Sequence, residues 1–210
     1  RREIIAKYKN IWERDLDVEL VVGGEGEQQA DSLSELLTTF PIAMMVIFAL
    51  LAIPLKSYVQ PLIIMSVIPF GAIGAVFGHF IMGADLVFFS ILGIIALSGV
   101  VVNASLVLVI SINRLREEGM GMVEAVSRAG MMRFRPIVLT SVTTFIGLVP
   151  LMVTANPATF FIIPMAISLA YGVLFATVIT LFLIPSLYVM LHDFKGHTDT
   201  AEERALAYQH

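Results

Sequence analysis

Hydrophobic residues fill five long segments of the chain, and polar residues are confined mostly to the stretches around them. A helix needs about 20 predominantly apolar residues to cross about 30 Å of hydrocarbon, and the segments come close to that length or exceed it. The pattern predicts an all-α polytopic membrane protein with five transmembrane helices. The predicted spans are residues 36–55, 61–82, 86–113, 137–153 and 159–191, which together form a transmembrane bundle over residues 36–192.

The charged residues are segregated in the way that a membrane requires. Residues 136–192 contain no Lys, Arg, Asp or Glu, and Asp85 is the only charge between Lys56 and Arg114. A charge at the centre of a spanning helix costs roughly 2.5–3.5 kcal/mol on insertion scales, so such runs are typical of membrane spans. Charged residues make up 14% of the chain, against about 25% in soluble domains.

Residues 1–35 have the pattern of a water-facing segment. Apolar residues from Ile4 to Trp12 recur at helical spacing, and Val18 to Val22 predicts a short strand that enters the turn at Gly23. This is a small α/β segment ahead of the membrane. A further helix is predicted to begin near Glu25 and to continue into the first span. The chain opens inside the first predicted helix, so we expect it to be part of a longer protein.

The connectors predict an orientation in the membrane. The connectors at 83–85 and 154–158 carry no base, whereas basic residues follow spans one, three and five. The positive-inside rule therefore places the basic side and the tail, residues 193–210, in the cytoplasm, and residues 1–35 on the opposite side. Residues 114–136 form a cytoplasmic link, either as an amphipathic helix along the membrane surface or as a plain connector.

The residue types present exclude several classes of function. The chain has no cysteine, which rules out thiol chemistry and cysteine-based metal sites in it. It contains no HExxH or Walker motif, no acid or base at mid-membrane depth and no basic patch with interleaved aromatic residues. We therefore predict no enzyme activity, no catalytic residue, no cofactor, no metal site and no nucleic-acid partner. The predicted partner is the lipid bilayer.

Small residues in spans two and three are candidates for close helix packing. Gly71, Gly74 and Gly78 lie on span two, and Gly74 with Gly78 forms a GxxxG pattern, which allows two helix backbones to approach closely. Gly99 on span three is a further candidate packing position. The alternative to packing is a hinge.

Polar residues inside the spans are the candidates for chemistry. Asn103 lies deep in span three, where an amide either makes an interhelical hydrogen bond worth roughly 0.6 kcal/mol or takes part in transport. Hydroxyls at 140, 141, 143 and 144 begin span four, and such groups often bond their own helix. His79, near the outer end of span two, is expected at the membrane interface.

Two long motifs and three shorter ones occur in order along the chain. The long motifs are GVVVNASLVLV at 99–109, followed by INRLR at 112–116, and RFRPIVLTS at 133–141, leading into GLVPL at 147–151. The shorter ones are GEGEQ at 24–28, PLIIM at 61–65 and IPFG at 68–71. Together they resemble the C-terminal part of permeases of the resistance-nodulation-division superfamily, in its hydrophobe/amphiphile efflux branch.

The resemblance implies a place in a larger transporter. The five spans would be the eighth to twelfth of a twelve-span bundle, and residues 1–24 would close the second periplasmic porter and docking region. Members of the family are trimeric drug/proton antiporters of the bacterial inner membrane. They handle hydrophobic and amphiphilic drugs and work with a periplasmic adaptor and an outer-membrane channel. The N-terminal half of the same polypeptide would then lie outside this chain.

The resemblance also implies a proton relay. Its acid pair lies on the fourth span of the family, outside this chain. Asn103 falls where the best-known members carry a lysine, Thr140 falls at the relay threonine, and Arg133 falls at an arginine near the cytoplasmic entrance. The chain departs from the family at Ala104, where Asn or Asp is common, and at Ile110-Ser111, which replaces an acidic-aromatic pair. We hypothesise that Asn103 and Thr140 hydrogen-bond the acids and tune them without exchanging protons.

Other classes of function remain open at the level of sequence. One is a non-transporting membrane scaffold of the same architecture, for sterol sensing or lipid handling, or a truncated gene product. An acid pair on an upstream span would favour the exporter, and its absence would favour the scaffold. A channel is disfavoured because no span shows a periodic polar stripe.

Overall fold

Long helices make up the parts of the chain that the structure, a computed structural model, describes. The backbone is described for residues 25–154 and 159–207, and the side chains for residues 28–154 and 159–191. The helices, in chain order, are α1 (Glu25–Leu55), α2 (Val59–Met65), α3 (Ile68–Met82), α4 (Phe88–Glu117), α5 (Met122–Val153) and α6 (Ile163–Ala207).

The structure confirms five helical segments of the predicted kind within the described residues. The helical segments long and apolar enough to cross a bilayer are Gln28–Leu55, Val59–Met82, Phe88–Glu117, Met122–Val153 and Ile163–Leu191. The described residues contain no strand, which agrees with an all-α bundle. The strand and the first helix predicted before Glu25 lie outside the described residues.

Span two consists of two helices rather than one. The helix α2 ends at Met65 and α3 begins at Ile68, while the linking residues Ser66 and Val67 keep helical backbone angles. Pro69 has no amide hydrogen, so it cannot bond the carbonyl four residues earlier, and the helical ladder is interrupted at that point. The Ser66 hydroxyl donates to the carbonyl of Ile63 at 2.7 Å and stabilises the junction.

The predicted link at residues 114–136 takes a different form. The helix α4 continues to Glu117, a turn follows in which Gly119 has φ +92°, and α5 begins at Met122. From there α5 runs unbroken to Val153, through Pro136. The amphipathic segment and span four are therefore one continuous helix rather than a link followed by a span. The charged residues of the amphipathic segment lie in the N-terminal part of this helix, ahead of the charge-free span.

The core forms around α6, which contacts α3, α4 and α5. Side chains of α4 such as Leu108 and Ile112 are fully buried with Ile184 of α6. Contacts group the residues from Met44 onward into one unit, to which the end of α1 contributes Leu51 and Leu55. The described part of the chain before Met44 is the first portion of α1.

Three of the candidate packing glycines lie in contact with neighbouring helices. A Cβ at Gly74 would overlap the Cβ of Phe175, and one at Gly78 would overlap the Cβ of Tyr171, both on α6. A Cβ at Gly71 would lie 3.1 Å from Leu97 Cδ2. The absence of a side chain at these positions thus lets α3 approach α6 and α4 closely.

Gly99 differs from the other three, and its prediction as a packing residue is not supported. A Cβ at Gly99 would have no neighbour within 4 Å among the described residues. Two glycines that the sequence did not single out are packed instead. A Cβ at Gly93 would lie 2.6 Å from the carbonyl of Met165, and one at Gly172 would overlap Leu97.

Candidate functional site

A cleft of about 170 Å³ lies between α4, α5 and α6. It brings together the three candidate relay residues, since Asn103 lines it from α4, and Thr140 and Arg133 line it from α5. The third wall is α6, which contributes Val173, Ala176, Thr177 and Thr180. The cleft is therefore a mostly apolar space with a few polar groups and a cation.

Asn103 projects an amide into this cleft. Its side chain is exposed, and it makes no hydrogen bond to any residue that the structure describes. Ala104 beside it also lines the cleft but offers no side-chain polar group. An unpaired amide is unfavourable in hydrocarbon, because no water is present there to satisfy it. Asn103 thus has both donors and its acceptor available for a group from outside this chain.

Arg133 is tied to α4 through Ser111. The Arg133 Nε donates to Ser111 Oγ at 2.7 Å, and Ser111 Oγ donates to the carbonyl of Val107 at 2.8 Å. These bonds orient the guanidinium at one end of the cleft. Ser111, which sequence reasoning noted only as a departure from the family, is thus a positioning residue for Arg133.

Thr140 bonds its own helix. Its hydroxyl donates to the carbonyl of Pro136 at 2.9 Å, and its side chain is exposed. Thr143 and Thr144 also donate to carbonyls of α5, at 2.9 and 2.8 Å. Of these three threonines, only Thr140 lines the cleft. Because its proton is committed to Pro136, the Thr140 oxygen is left to act as an acceptor.

A hydroxyl pair closes the cleft between α5 and α6. Ser141 Oγ and Thr177 Oγ1 are hydrogen-bonded to each other, and each also lies within hydrogen-bond distance of a carbonyl of its own helix. Sequence reasoning missed Thr177 and Thr180. The available signal was their spacing after Val173, which places these hydroxyls on one face of the charge-free span Ile163–Leu191.

His79 lies in the last turn of α3 and is buried within the bundle. Its side chain is 2% exposed. The ring Nδ1 donates to the carbonyl of Ala75 at 3.0 Å, because a carbonyl can only accept, and Nε2 accepts from Ser90 Oγ at 2.9 Å. Ser90 Oγ accepts in turn from the amide of Val87 at 3.1 Å. The imidazole therefore joins α3 to the start of α4.

A second polar cluster lies at the opposite end of spans two and three from His79. Gln60 Nε2 donates to Asn113 Oδ1 at 3.2 Å, and Asn113 Nδ2 donates to Gln60 Oε1 at 2.9 Å. The buried Tyr188 hydroxyl also donates to Asn113 Oδ1, at 3.3 Å. The cluster links α2, α4 and α6 and borders a second cleft, of about 610 Å³.

The described residues contain no group of three or more His, Cys, Asp or Glu side chains placed to hold a metal ion. The candidate site is a mostly apolar cleft between three helices, with a few polar groups and one cation in its lining. Its groups can donate and accept hydrogen bonds and can attract an anion.

Comparison with known proteins places this arrangement in context. The profile of the AcrB/AcrD/AcrF family matches residues 7–192. The chain is also similar to X-ray crystal structures of a heavy metal efflux pump in two crystal forms. The TM-scores are 0.72 and 0.71, and the sequence identities are 24% and 25%.

The matches cover 91% of this chain but only 19% and 20% of the pump chains, so the chain spans about one fifth of their length. The family match covers most of the sequence and includes every residue of the cleft. On this evidence the chain belongs to the AcrB/AcrD/AcrF family of resistance-nodulation-division efflux transporters.

Proposed function

We propose that this chain is the C-terminal membrane portion of a proton-driven exporter of hydrophobic and amphiphilic compounds. The exporter works by drug/proton antiport in the bacterial inner membrane, as a homotrimer with a periplasmic adaptor and an outer-membrane channel. The observation that carries the proposal is the convergence of Asn103, Thr140 and Arg133 on one cleft. They lie on two helices and belong to a chain whose family is a family of efflux transporters.

The hydrogen-bonding state of the cleft supports a tuning role for two of these residues. The Asn103 amide has free donors, which favour an ionised carboxylate. Thr140 has its proton committed to Pro136, so its oxygen favours a protonated carboxyl group that donates to it. The two residues thus favour opposite protonation states of an acid that enters the cleft. Neither has to exchange a proton itself.

Arg133 supplies the only positive charge that lines this cleft. Its bond to Ser111 holds it at one end, where it attracts an ionised acid from the facing span. In this mechanism the acids come from the N-terminal half of the polypeptide. They titrate between Asn103 and Thr140, and Arg133 biases the position of the ionised form.

The decisive test is Asn103→Ala in the full-length gene product, assayed by proton-driven efflux in inverted membrane vesicles. Loss of a hydrogen bond to a charged group, about 1.5 kcal/mol, corresponds to about one pH unit. The carboxylate is then less stabilised, so the acid keeps its proton to a higher pH. The pH of half-maximal efflux should rise by about one unit.

The matched control is Ser186→Ala. Ser186 is an exposed hydroxyl of α6 that bonds the carbonyl of Phe182 at 2.8 Å and lies away from the cleft. Its replacement should leave the pH profile unchanged. An Asn103→Ala profile that overlays the wild type would show that the amide does not tune the relay. A protein that transports nothing in energised vesicles would instead favour the scaffold.

Metal export is the second candidate, because the similar solved structures are of a heavy metal efflux pump. The proposal favours organic compounds, since the motifs of this chain resemble those of the hydrophobe/amphiphile efflux branch. Energised vesicles should therefore accumulate a cationic dye such as ethidium and not a heavy metal ion. Uptake of the metal ion without uptake of the dye would show that the protein is a metal exporter instead.

A further inference from the structure

The second cleft lies where α1 and α4 end and where α2 and α5 begin. Its rim carries Lys56, Arg114 and Arg116, with Glu117 as the only acid among its lining residues. The lining residues therefore have an excess of positive charge. No anion among the described residues of the cleft is placed to neutralise all three bases.

The three bases differ in whether an ion pair or a hydrogen bond already involves their side chains. Arg114 Nε pairs with Glu118 at 3.3 Å, but the two side chains are 80% and 48% exposed, so this pair is weak. Arg116 Nη1 donates to the carbonyl of Met120 at 3.1 Å, which fixes its position without neutralising its charge. Lys56 is exposed and has no ion pair within the described part of the chain.

The inner wall of the cleft provides amide donors. The reciprocal Gln60–Asn113 pair uses one N–H of each amide group, so the second N–H of each remains available. The Asn113 Oδ1 acceptor is occupied, because it accepts from both Gln60 and Tyr188. The wall thus presents free donors beside the basic rim, which is the combination that a phosphate group requires.

Lys56 occupies a backbone conformation that is unfavourable for its residue type. Its φ is +47°, and it is the one non-glycine residue with a positive φ in the described chain. Such outliers persist only where the surrounding structure holds them, and they are often found at ligand sites. A glycine or asparagine would be unstrained here. The lysine therefore occupies this position at a conformational cost.

We propose that this cleft binds the headgroup of an anionic phospholipid. The phosphate lies between Lys56 and Arg116, with the free amide donors of the inner wall beneath it. A lipid fits better than a free phosphate because the lining of the cleft includes apolar side chains of the spans, among them Ile110, which is 44% exposed. Basic pockets between helices are typical headgroup sites on the cytoplasmic side. This proposal does not depend on the transport activity.

The test is lipid binding to the full-length protein, measured by native mass spectrometry in detergent. Phosphatidylglycerol, phosphatidylethanolamine and inorganic phosphate are titrated separately. The variant Lys56→Gly/Arg116→Gln removes two charges, and glycine suits the positive φ at position 56. Each base near a membrane surface contributes a factor of about 5, so phosphatidylglycerol affinity should fall by about 30-fold.

The control is Arg128→Gln/Arg135→Gln, which removes the same charge from exposed positions of α5 that do not line the cleft. Its affinity for phosphatidylglycerol should match the wild type. Lys56→Arg should also bind, because it keeps the charge. Equal losses in both double variants would overturn the site, and so would equal binding of the two lipids by the wild type. Displacement of the lipid by inorganic phosphate would overturn the choice of a lipid.

Discussion

A comparison of two threonines of α5 can distinguish a role in the proton relay from the ordinary hydrogen bonding of hydroxyls in membrane helices. Thr140 and Thr143 are both exposed, and both donate to carbonyls of their own helix. Only Thr140 lines the cleft. We expect Thr140→Val to lower proton-driven efflux by about 10-fold, the value of one hydrogen bond to an ionisable group. Thr143→Val should leave efflux unchanged, and equal rates in the two variants would remove Thr140 from the relay.

Two glycines, Gly74 and Gly99, allow a second comparison of matched variants, this time of stability. Gly74→Ala places a methyl group against Phe175, and such overpacking typically costs about 1–3 kcal/mol. The methyl group added by Gly99→Ala has no neighbour within 4 Å among the described residues, and the replacement of glycine stabilises the helix by about 0.5–1 kcal/mol. The apparent melting temperature of the solubilised full-length protein should fall in the first variant and hold or rise in the second. A fall in both would show that Gly99 meets a helix from outside this chain.

At the scale of elements, His79 and Ser90 determine how α3 meets α4. Removal of the imidazole leaves the buried Ser90 hydroxyl without its acceptor, which costs about 1–3 kcal/mol. We expect His79→Ala and Ser90→Ala to be non-additive by about 1 kcal/mol in a double-mutant cycle of thermal stability. Additive effects would mean that the two side chains act independently. The helix-capping turn at Gly83, with φ +63°, lies between them and supplies the reversal.

The existence of the spans could be predicted because hydrophobicity over 20 residues is a strong signal. The positions at which helices end or continue inside and beside these spans could not be predicted. Pro69 and Pro136 illustrate why, since the same residue type interrupts span two and is carried inside α5. Proline removes one backbone bond in both cases. Whether the helix then breaks depends on packing around it, which the local sequence does not contain.

Part of the candidate site was predictable for a similar reason. Asn103, Thr140 and Arg133 stand in long motifs, and the cleft brings all three together. The partners that hold the site come from distant parts of the chain, such as Ser111 for Arg133 and Thr177 for Ser141. Gln60 and Tyr188 meet at Asn113 although they lie far apart in sequence. No periodicity in a single segment reveals such contacts.

At the scale of the whole molecule, the bundle leaves exposed both a cleft with polar groups and broad apolar helix faces. The chain spans about one fifth of the solved pump chains. The exposed side of the cleft between α4, α5 and α6 carries the Asn103 amide, which has no hydrogen-bond partner among the described residues and which lipid tails cannot satisfy. The apolar faces of α1 and α5 are also largely exposed. A facing helix with acidic residues would cover this cleft, whereas lipid is sufficient for the purely apolar faces.

The orientation of the bundle gives a final prediction, and the absence of cysteine from the chain makes it straightforward to test. Gly83 and Thr154 border the base-free connectors, while Ser57 and Gly119 lie in the connectors on the basic side. Single cysteines are introduced at these positions in a full-length protein whose other cysteines, if any, have been replaced. They are then labelled with a membrane-impermeant maleimide in right-side-out and inverted vesicles.

Cysteines at 83 and 154 should react only in right-side-out vesicles, and those at 57 and 119 only in inverted ones, because bases accumulate on the cytoplasmic side. The opposite result for all four would invert the bundle. It would also move the lipid cleft to the outer leaflet, where the anionic surface potential of the cytoplasmic leaflet is absent. Labelling of 57 and 83 from the same side would show that the segment between them, Val59–Met82, does not cross the membrane.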